Sequence, residues 1–238
     1  MTGALVVAPA PLVNCGKLAG INLTLKNEYM YTVKEIFYTL QGEGMHAGRP
    51  AVFCRFSGCN LWNGLEKDRD QAVCKFCDTD FVGTDGTFGG KFSTAEALAT
   101  QINELWPEGH GHRYVVFTGG EPLLQLDAAL ITELHKYDFT IAVETNGTIP
   151  APEGIDWLCV SPKSQTTWVQ KTGNELKLVF PQEDLNPEKI KTQGFDNYFL
   201  QAMDGPNLQK NIAGAIEFCQ KNPIWKLSLQ THKIINIR

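Results

Sequence analysis

The stretch Tyr114-Val115-Val116-Phe117-Thr118-Gly119-Gly120-Glu121-Pro122, followed by Asp127 to Lys136 and then by Thr140-Ile141-Ala142-Val143-Glu144, decides the fold. Tyr114 to Thr118 is a short apolar run ended by a glycine pair, and reads as a buried strand. Asp127 to Lys136 places Leu130 and Leu134 on one face and reads as a helix covering it. Thr140 to Glu144 is a second strand. Strand, covering helix and strand in so short a span imply a right-handed crossover between parallel strands.

The pattern extends in both directions. Further strand candidates are Tyr31 to Phe37, Ala51 to Phe56, Trp157 to Ser161, Glu175 to Phe180, Tyr198 to Gln201 and Trp225 to Leu229. Further helix candidates are Thr94 to Trp106, with Leu98, Ile102 and Leu105 in phase, and Asn207 to Lys221, with Ile212, Ala215, Ile216 and Cys219 on one face. Ser93 and Glu96 have the spacing of a capping box. The expectation is an α/β fold, an incomplete (partial) TIM-like barrel of about six parallel βα units, too few to close an eightfold barrel. In such sheets chemistry collects at the carboxyl ends of the strands.

Composition narrows the classes. The chain has 238 residues, 43% hydrophobic and 20% charged, which suits one α/β domain with a real core. A net charge of −5 without any basic run argues against direct binding to nucleic acid. Residues 1–29 lack periodicity and read as a flexible N-terminal extension, leaving 30–238 as the catalytic domain. The apolar opening from Met1 to Gly16 has no basic region ahead of it, and no apolar run reaches membrane-spanning length, so the chain reads as cytoplasmic. Its seven cysteines are an odd, unevenly spaced set and do not form a disulfide framework.

Three of them cluster. Cys59, Cys74 and Cys77 form C-x14-C-x2-C just after the strand that ends at Phe56, joined by a polar loop. A structural zinc ion wants four closed ligands, and a fourth would have to come from Cys54 or a distant His. Cys54 lies inside the strand and reads as a small core residue. A [4Fe–4S] cluster on three thiolates keeps one iron open for a substrate or cofactor, and the ligand count favours it. Cys15, Cys159 and Cys219 read as bystanders.

Together, Phe53-Cys54-Arg55-Phe56-Ser57-Gly58-Cys59-Asn60-Leu61, Cys74-Lys75-Phe76-Cys77-Asp78-Thr79 and Thr118-Gly119-Gly120-Glu121-Pro122 resemble the radical S-adenosylmethionine enzymes. Tyr38-Thr39-Leu40-Gln41-Gly42-Glu43-Gly44 narrows the resemblance to the branch that converts 6-carboxy-5,6,7,8-tetrahydropterin to 7-carboxy-7-deazaguanine, with loss of ammonia, on the route to queuosine. Most of the superfamily has C-x3-C-x2-C, so the fourteen-residue gap is a departure. It lengthens the loop without changing the ligand count, and reads as a short helix or a docking surface for an electron donor.

The resemblance implies roles. The open iron would be chelated by S-adenosylmethionine, whose reductive cleavage yields the radical that takes hydrogen from the substrate. Phe76, Cys77 and Asp78, Gly119 and Gly120, Ser161 to Lys163 with Pro162 between them, and Gln201, Ala202, Met203 and Asp204 would hold that cofactor. Thr79 would ligate magnesium, which would anchor the substrate carboxylate. The substrate set would be Leu40, Gln41, Gly42 and Glu43 at the ring N–H edge, with Arg55, Thr118, Glu144 and Arg238. Arg55 interrupts an apolar strand and reads either as a bidentate carboxylate clamp or as half of a structural ion pair. Backbone carbonyls of Leu40 to Gly42 are candidate acceptors, and the segment ending at Arg238 reads as a tail closing over the ligand. A homodimer and an electron donor such as a flavodoxin or ferredoxin are implied as partners. The competing functions are a glycyl-radical activase, which shares the cluster, and a zinc-binding interaction module.

Overall fold

The computed structural model describes residues 31–190 and 194–238. The expected extension over 1–29, and Cys15 within it, lie outside the described residues. Among the described residues, nine strands form a single mixed sheet in the order β3-β1-β2-β4-β5-β6-β7-β8-β9. They are β1 (Tyr31–Leu40), β2 (Pro50–Phe56), β3 (Gly90–Phe92), β4 (Tyr114–Gly119), β5 (Thr140–Thr145), β6 (Trp157–Val160), β7 (Gly173–Phe180), β8 (Phe195–Ala202) and β9 (Trp225–Ser228). From β2 to β9 each neighbouring pair is parallel, leaving aside β3. The sheet is therefore mostly parallel and open, with the expected strands present.

Two features lay beyond the periodicity. β1 runs antiparallel to β2, with Ile36 opposite Cys54, and the three-residue β3 adds an antiparallel edge against β1. Strand direction is not encoded in the alternation of residues, and three residues are too few to register as a pattern.

The helices are α1 (Ala95–Glu104), α2 (Ala128–Lys136), α3 (Leu208–Lys221) and α4 (Thr231–Ile234). The N-cap of α1 is Thr94, whose hydroxyl accepts from the Ala97 amide at 3.1 Å, so the proposed capping box on Ser93 and Glu96 is one residue out of place. Asp127 caps α2 in the same way. In α3 Ala215 is buried but Ile216 is exposed, which narrows the expected apolar face. Among the described residues no helix is long and apolar enough to cross a membrane.

Strand alternation separates core from cavity. Ile36, Cys54, Phe117, Val143, Leu176, Leu178 and Leu200 are fully buried and belong to the cluster that includes Leu98 and Ile102 of α1 and Leu130 and Leu134 of α2. Their strand neighbours Glu35, Phe37, Phe53, Arg55, Thr118, Glu144, Lys177 and Gln201 line a cavity of about 340 Å³ on the other face. Cys54 thus belongs to the core, as its place in the strand suggested.

The corrected cap is directly testable. Replacing Thr94 by Ala is expected to lower the free energy of unfolding by about 1 kcal/mol in urea titrations, whereas Ser93→Ala leaves it within error.

Candidate active site

The cavity gathers residues predicted from distant parts of the sequence. Every predicted substrate residue lines it: Leu40, Gln41, Gly42, Glu43, Arg55, Thr118, Glu144 and Arg238. So do Phe76, Cys77, Asp78, Gly119, Gly120, Ser161, Lys163, Gln201, Ala202, Met203 and Asp204, together with Cys74 and Thr79. Pro162 and Cys59 fall outside the lining. Pro162 is buried, its carbonyl accepting from Gln182 Nε2 at 3.2 Å.

The long gap between Cys59 and Cys74 is closed at its base. The carbonyl of Leu61 accepts from the amides of Val73 and Cys74 at 3.1 and 3.3 Å, which returns the chain to the neighbourhood of Cys59. Residues 62–73 are consequently an excursion containing a 3-10 turn, Glu66–Gln71. Trp62 and Phe81 pack edge to face beneath it, with centroids 5.6 Å apart.

Cys59 itself is set by the glycine turn after β4. The Glu121 amide donates to the Gly58 carbonyl at 3.0 Å. A Cβ on Gly120 would lie 2.1 Å from that carbonyl and 2.6 Å from the Cys59 Cβ, and one on Gly119, whose φ is +137°, would lie 2.2 Å from the Phe56 carbonyl. Both positions require glycine for close approach. Glu121 is fully buried and joins the ends of two strands, accepting from Leu123 N, Thr145 Oγ1 and Asn146 N at 2.7 to 3.0 Å. Its role as a strut was not evident from the sequence.

The donor set fits an iron–sulfur cluster. Burial pushes the Cys59 and Cys74 thiols up, and the neighbouring cysteine sulfurs add a smaller push in the same direction. Among the described residues no group of three or more His, Cys, Asp or Glu is drawn together at single-ion spacing. Three thiols are the donor count that leaves one iron of a [4Fe–4S] cluster open, whereas a closed zinc site takes four ligands. Lys163 adds a positive charge that lowers the Cys74 thiol and donates to Ser161 Oγ at 2.7 Å. Lys233 of α4 bridges Asp78 and Asp204, two predicted cofactor residues, at 2.5 Å each.

The rest of the pocket is divided by charge. On the β1–β2 side Arg55 Nε donates to Glu35 Oε1 at 3.0 Å, and the Arg238 guanidinium pairs with Glu35 Oε2. Two cations share one carboxylate, leaving positive charge in excess. Arg55 is therefore an ion-pair partner in this structure, with one guanidinium nitrogen committed. Arg238 is no free tail: its carbonyl accepts from Thr39 Oγ1 at 2.7 Å, and its guanidinium lies 4.7 Å from the Phe37 ring centroid.

On the β5–β7 side the sign reverses. Lys177, 4% exposed, pairs with Glu43 at 2.5 Å and Glu144 at 3.3 Å. Burial raises the Glu43 carboxyl, but the Lys177 ammonium and a hydrogen bond from Gln230 outweigh it and hold Glu43 at about 2. Burial likewise lowers Lys177, and Glu144 and Glu43 reverse this and keep it charged. Burial keeps the nearby Glu175 carboxyl raised. Glu144 is a strand residue whose Oε1 accepts from Gln41 Nε2 at 3.0 Å. The Gly42 carbonyl already accepts from Thr231 N and Oγ1 at 2.9 and 2.8 Å, so it is not the acceptor the sequence suggested. Lys177 interrupts an apolar strand just as Arg55 does, and the same signal would have found it.

A sequence model of the Radical SAM superfamily matches residues 70–164. The matched residues include Cys74, Cys77 and the glycine turn that line the cavity. The chain is 58% identical over 207 residues to the 7-carboxy-7-deazaguanine synthase of Burkholderia multivorans, covering 87% of this chain and 99% of that protein. It is 54% identical over 213 residues to the synthase of the same name from Nitratidesulfovibrio vulgaris, again covering 87% and 99%. The crystal structure of QueE from Escherichia coli superposes with a TM-score of 0.62 at 25% identity, covering 90% of this chain and all of that one. The chain belongs to the 7-carboxy-7-deazaguanine synthase family.

Removing the buried ammonium tests the electrostatics. Lys177→Met is expected to cost about 3–5 kcal/mol of unfolding free energy at neutral pH, because it strands the carboxylates. Glu43 has a folded-state value below its ordinary 4.5, so its contribution is complete above 4.5 and disappears as pH falls through about 2. The stability gap between the two proteins should narrow across that window.

Proposed function

We propose that the chain is a carbon–nitrogen lyase that converts 6-carboxy-5,6,7,8-tetrahydropterin to 7-carboxy-7-deazaguanine with release of ammonia, on the route to queuosine. The observation that carries this reading is the charge division of the pocket: cationic at Arg55 and Arg238, anionic at Glu43 and Glu144. Such a pocket suits a ligand with a carboxylate at one end and a row of N–H donors at the other. A [4Fe–4S] cluster on Cys59, Cys74 and Cys77, with S-adenosylmethionine, supplies one-electron chemistry and hydrogen-atom abstraction when bound.

The chain's residues do the placing. The surplus charge shared by Arg55 and Arg238 receives the carboxylate, and Arg55 offers it the nitrogens that Glu35 leaves free. Glu43 stays ionised throughout the physiological range and accepts from the amino and ring N–H groups, beside Glu144. Phe37 and Phe53, stacked with centroids 5.6 Å apart, give the cavity an apolar wall that excludes water. Thr118 presents its hydroxyl between Arg55 and the glycine turn.

The finer features belong to the same proposal. Thr79 holds a magnesium ion that helps to anchor the carboxylate, consistent with its place in the cavity lining. The sheet curves as a partial TIM-like barrel, which would explain why the loop after β1 bonds to Ser228 of β9 at 3.0 Å. The enzyme works in the cytoplasm as a homodimer, with a flavodoxin or ferredoxin as electron donor.

The test is anaerobic turnover by the cluster-loaded protein, with and without magnesium. Product and ammonia are expected, with a lower rate when magnesium is withheld. Cleavage of S-adenosylmethionine with the pterin left intact would overturn the lyase reading in favour of a glycyl-radical activase. In the same assay Arg55→Lys is expected to raise KM roughly tenfold, the loss of about one charge-assisted hydrogen bond. An unchanged KM removes Arg55 from substrate binding.

A further inference from the structure

The excursion between Cys59 and Cys74 contains one side chain that reaches back to the cysteines. Arg69 stands on the Glu66–Gln71 turn with its side chain 25% exposed. Its Nε donates to both oxygens of Glu66 at 2.8 and 2.9 Å, and Nη2 donates to Glu66 Oε2 at 2.7 Å. The flat face of the guanidinium lies over Trp62, 4.1 Å from the ring centroid. Orientation is thereby fixed on two sides. The remaining nitrogen, Nη1, donates to the carbonyl oxygens of Lys75 and Cys77, both at 3.0 Å.

Those two carbonyls lie in the short turn that carries Cys74 and Cys77. Residues 74–80 are in neither helix nor strand. The Leu61 carbonyl holds the Cys74 amide at one end and Lys233 and Lys34 hold Asp78 and Asp80 at the other, and Arg69 ties the carbonyls of Lys75 and Cys77 between them. Trp62 is anchored below by Phe81 and by its Nε1 hydrogen bond to the Leu65 carbonyl at 3.2 Å. A continuous path therefore runs from the packed base of the excursion, through Arg69, to the backbone on either side of Phe76. A planar fork with five donors makes such a bridge; an ammonium is a point charge and does not reproduce it from the same position.

We propose that Arg69 is a positioning residue for the cluster, and that the long inter-cysteine loop exists in this chain to present it. By tying the Lys75 and Cys77 carbonyls, it sets the separation and direction of the Cys74 and Cys77 thiolates. This rests on the assignment of those cysteines as cluster ligands. The loop's function is thus internal, and differs from the electron-donor docking surface expected from its polarity.

The test compares wild type, Arg69→Gln, Arg69→Lys and Glu66→Gln. After anaerobic reconstitution, the rate of iron loss to a chelator and the electron paramagnetic resonance spectrum of the reduced cluster, with and without S-adenosylmethionine, are recorded. Arg69→Gln is expected to lose iron roughly tenfold faster, as the loss of two hydrogen bonds implies, and to show an altered spectrum. Arg69→Lys should not restore either property, and Glu66→Gln should give an intermediate rate. Wild-type iron retention and spectrum in Arg69→Gln, or full rescue by lysine, overturn the proposal.

Amide hydrogen exchange on the cluster-free proteins gives a second readout. Residues 74–79 should exchange faster in Arg69→Gln while β4 and β5 are unchanged; equal exchange in that segment also overturns the proposal. Wild-type protein that takes up no cluster would refute the ligand assignment instead, and the exchange measurement still decides whether Arg69 orders the turn.

Discussion

The buried ammonium of Lys177 is the interaction on which the pocket depends. It stands in the middle of β7, between two apolar core residues, yet faces the main cavity, where it pairs with Glu43 and Glu144. Without that charge, the burial of Glu43 would be offset mainly by the Gln230 hydrogen bond, and the loop after β1 would lose its ionic tie to β7. With it, one residue holds together β5, β7 and the first loop. The pairing is costly in desolvation and is offset only because the lysine has two carboxylates within 3.3 Å. Such an arrangement fixes geometry more than it adds stability.

The same sheet performs two tasks because a strand has two faces. One face presents Ile36, Phe117, Val143 and Leu178 to the helices; the other presents Glu35, Thr118, Glu144 and Lys177 to the cavity. A one-residue shift in the register of any strand would exchange these sets. The core therefore determines which residues face the chemistry. The glycine turn after β4 completes the arrangement by letting the Cys59 loop approach as closely as backbone atoms allow.

Much of this was legible in the sequence, for definite reasons. Runs such as Tyr114 to Thr118 and Thr140 to Glu144 are short, rich in β-branched or aromatic residues and followed closely by a glycine turn, which separates a buried strand from a helix segment. Cys59, Cys74 and Cys77 declared themselves by composition and spacing. Arg55 declared itself as a charge inside an apolar strand. What escaped notice depends on contacts distant in sequence. The engagement of the Gly42 carbonyl by Thr231, the sharing of Glu35 by Arg55 and Arg238, and the three hydrogen bonds to Glu121 each join segments that no local pattern relates. The antiparallel direction of β1 and the cap at Thr94 were missed for another reason: direction and a one-residue offset leave the periodicity unchanged.

The contact between residues 41–44 and 228–233 closes the cavity with two segments separated by most of the chain. Gly42 has no room for a side chain because His232 occupies that space, 2.2 Å from where a Cβ would stand. The seam is made by a four-residue helix carrying exposed Ile234, with none of the sheet's packed core behind it. In free-energy terms it is the least expensive part of the wall to separate, since few buried contacts are broken when it opens. Because Lys233 of that helix pairs with Asp78, the residue after Cys77, opening the seam also loosens the turn that carries the cysteines, so exchange of ligands and the order of the cysteine end of the pocket are coupled.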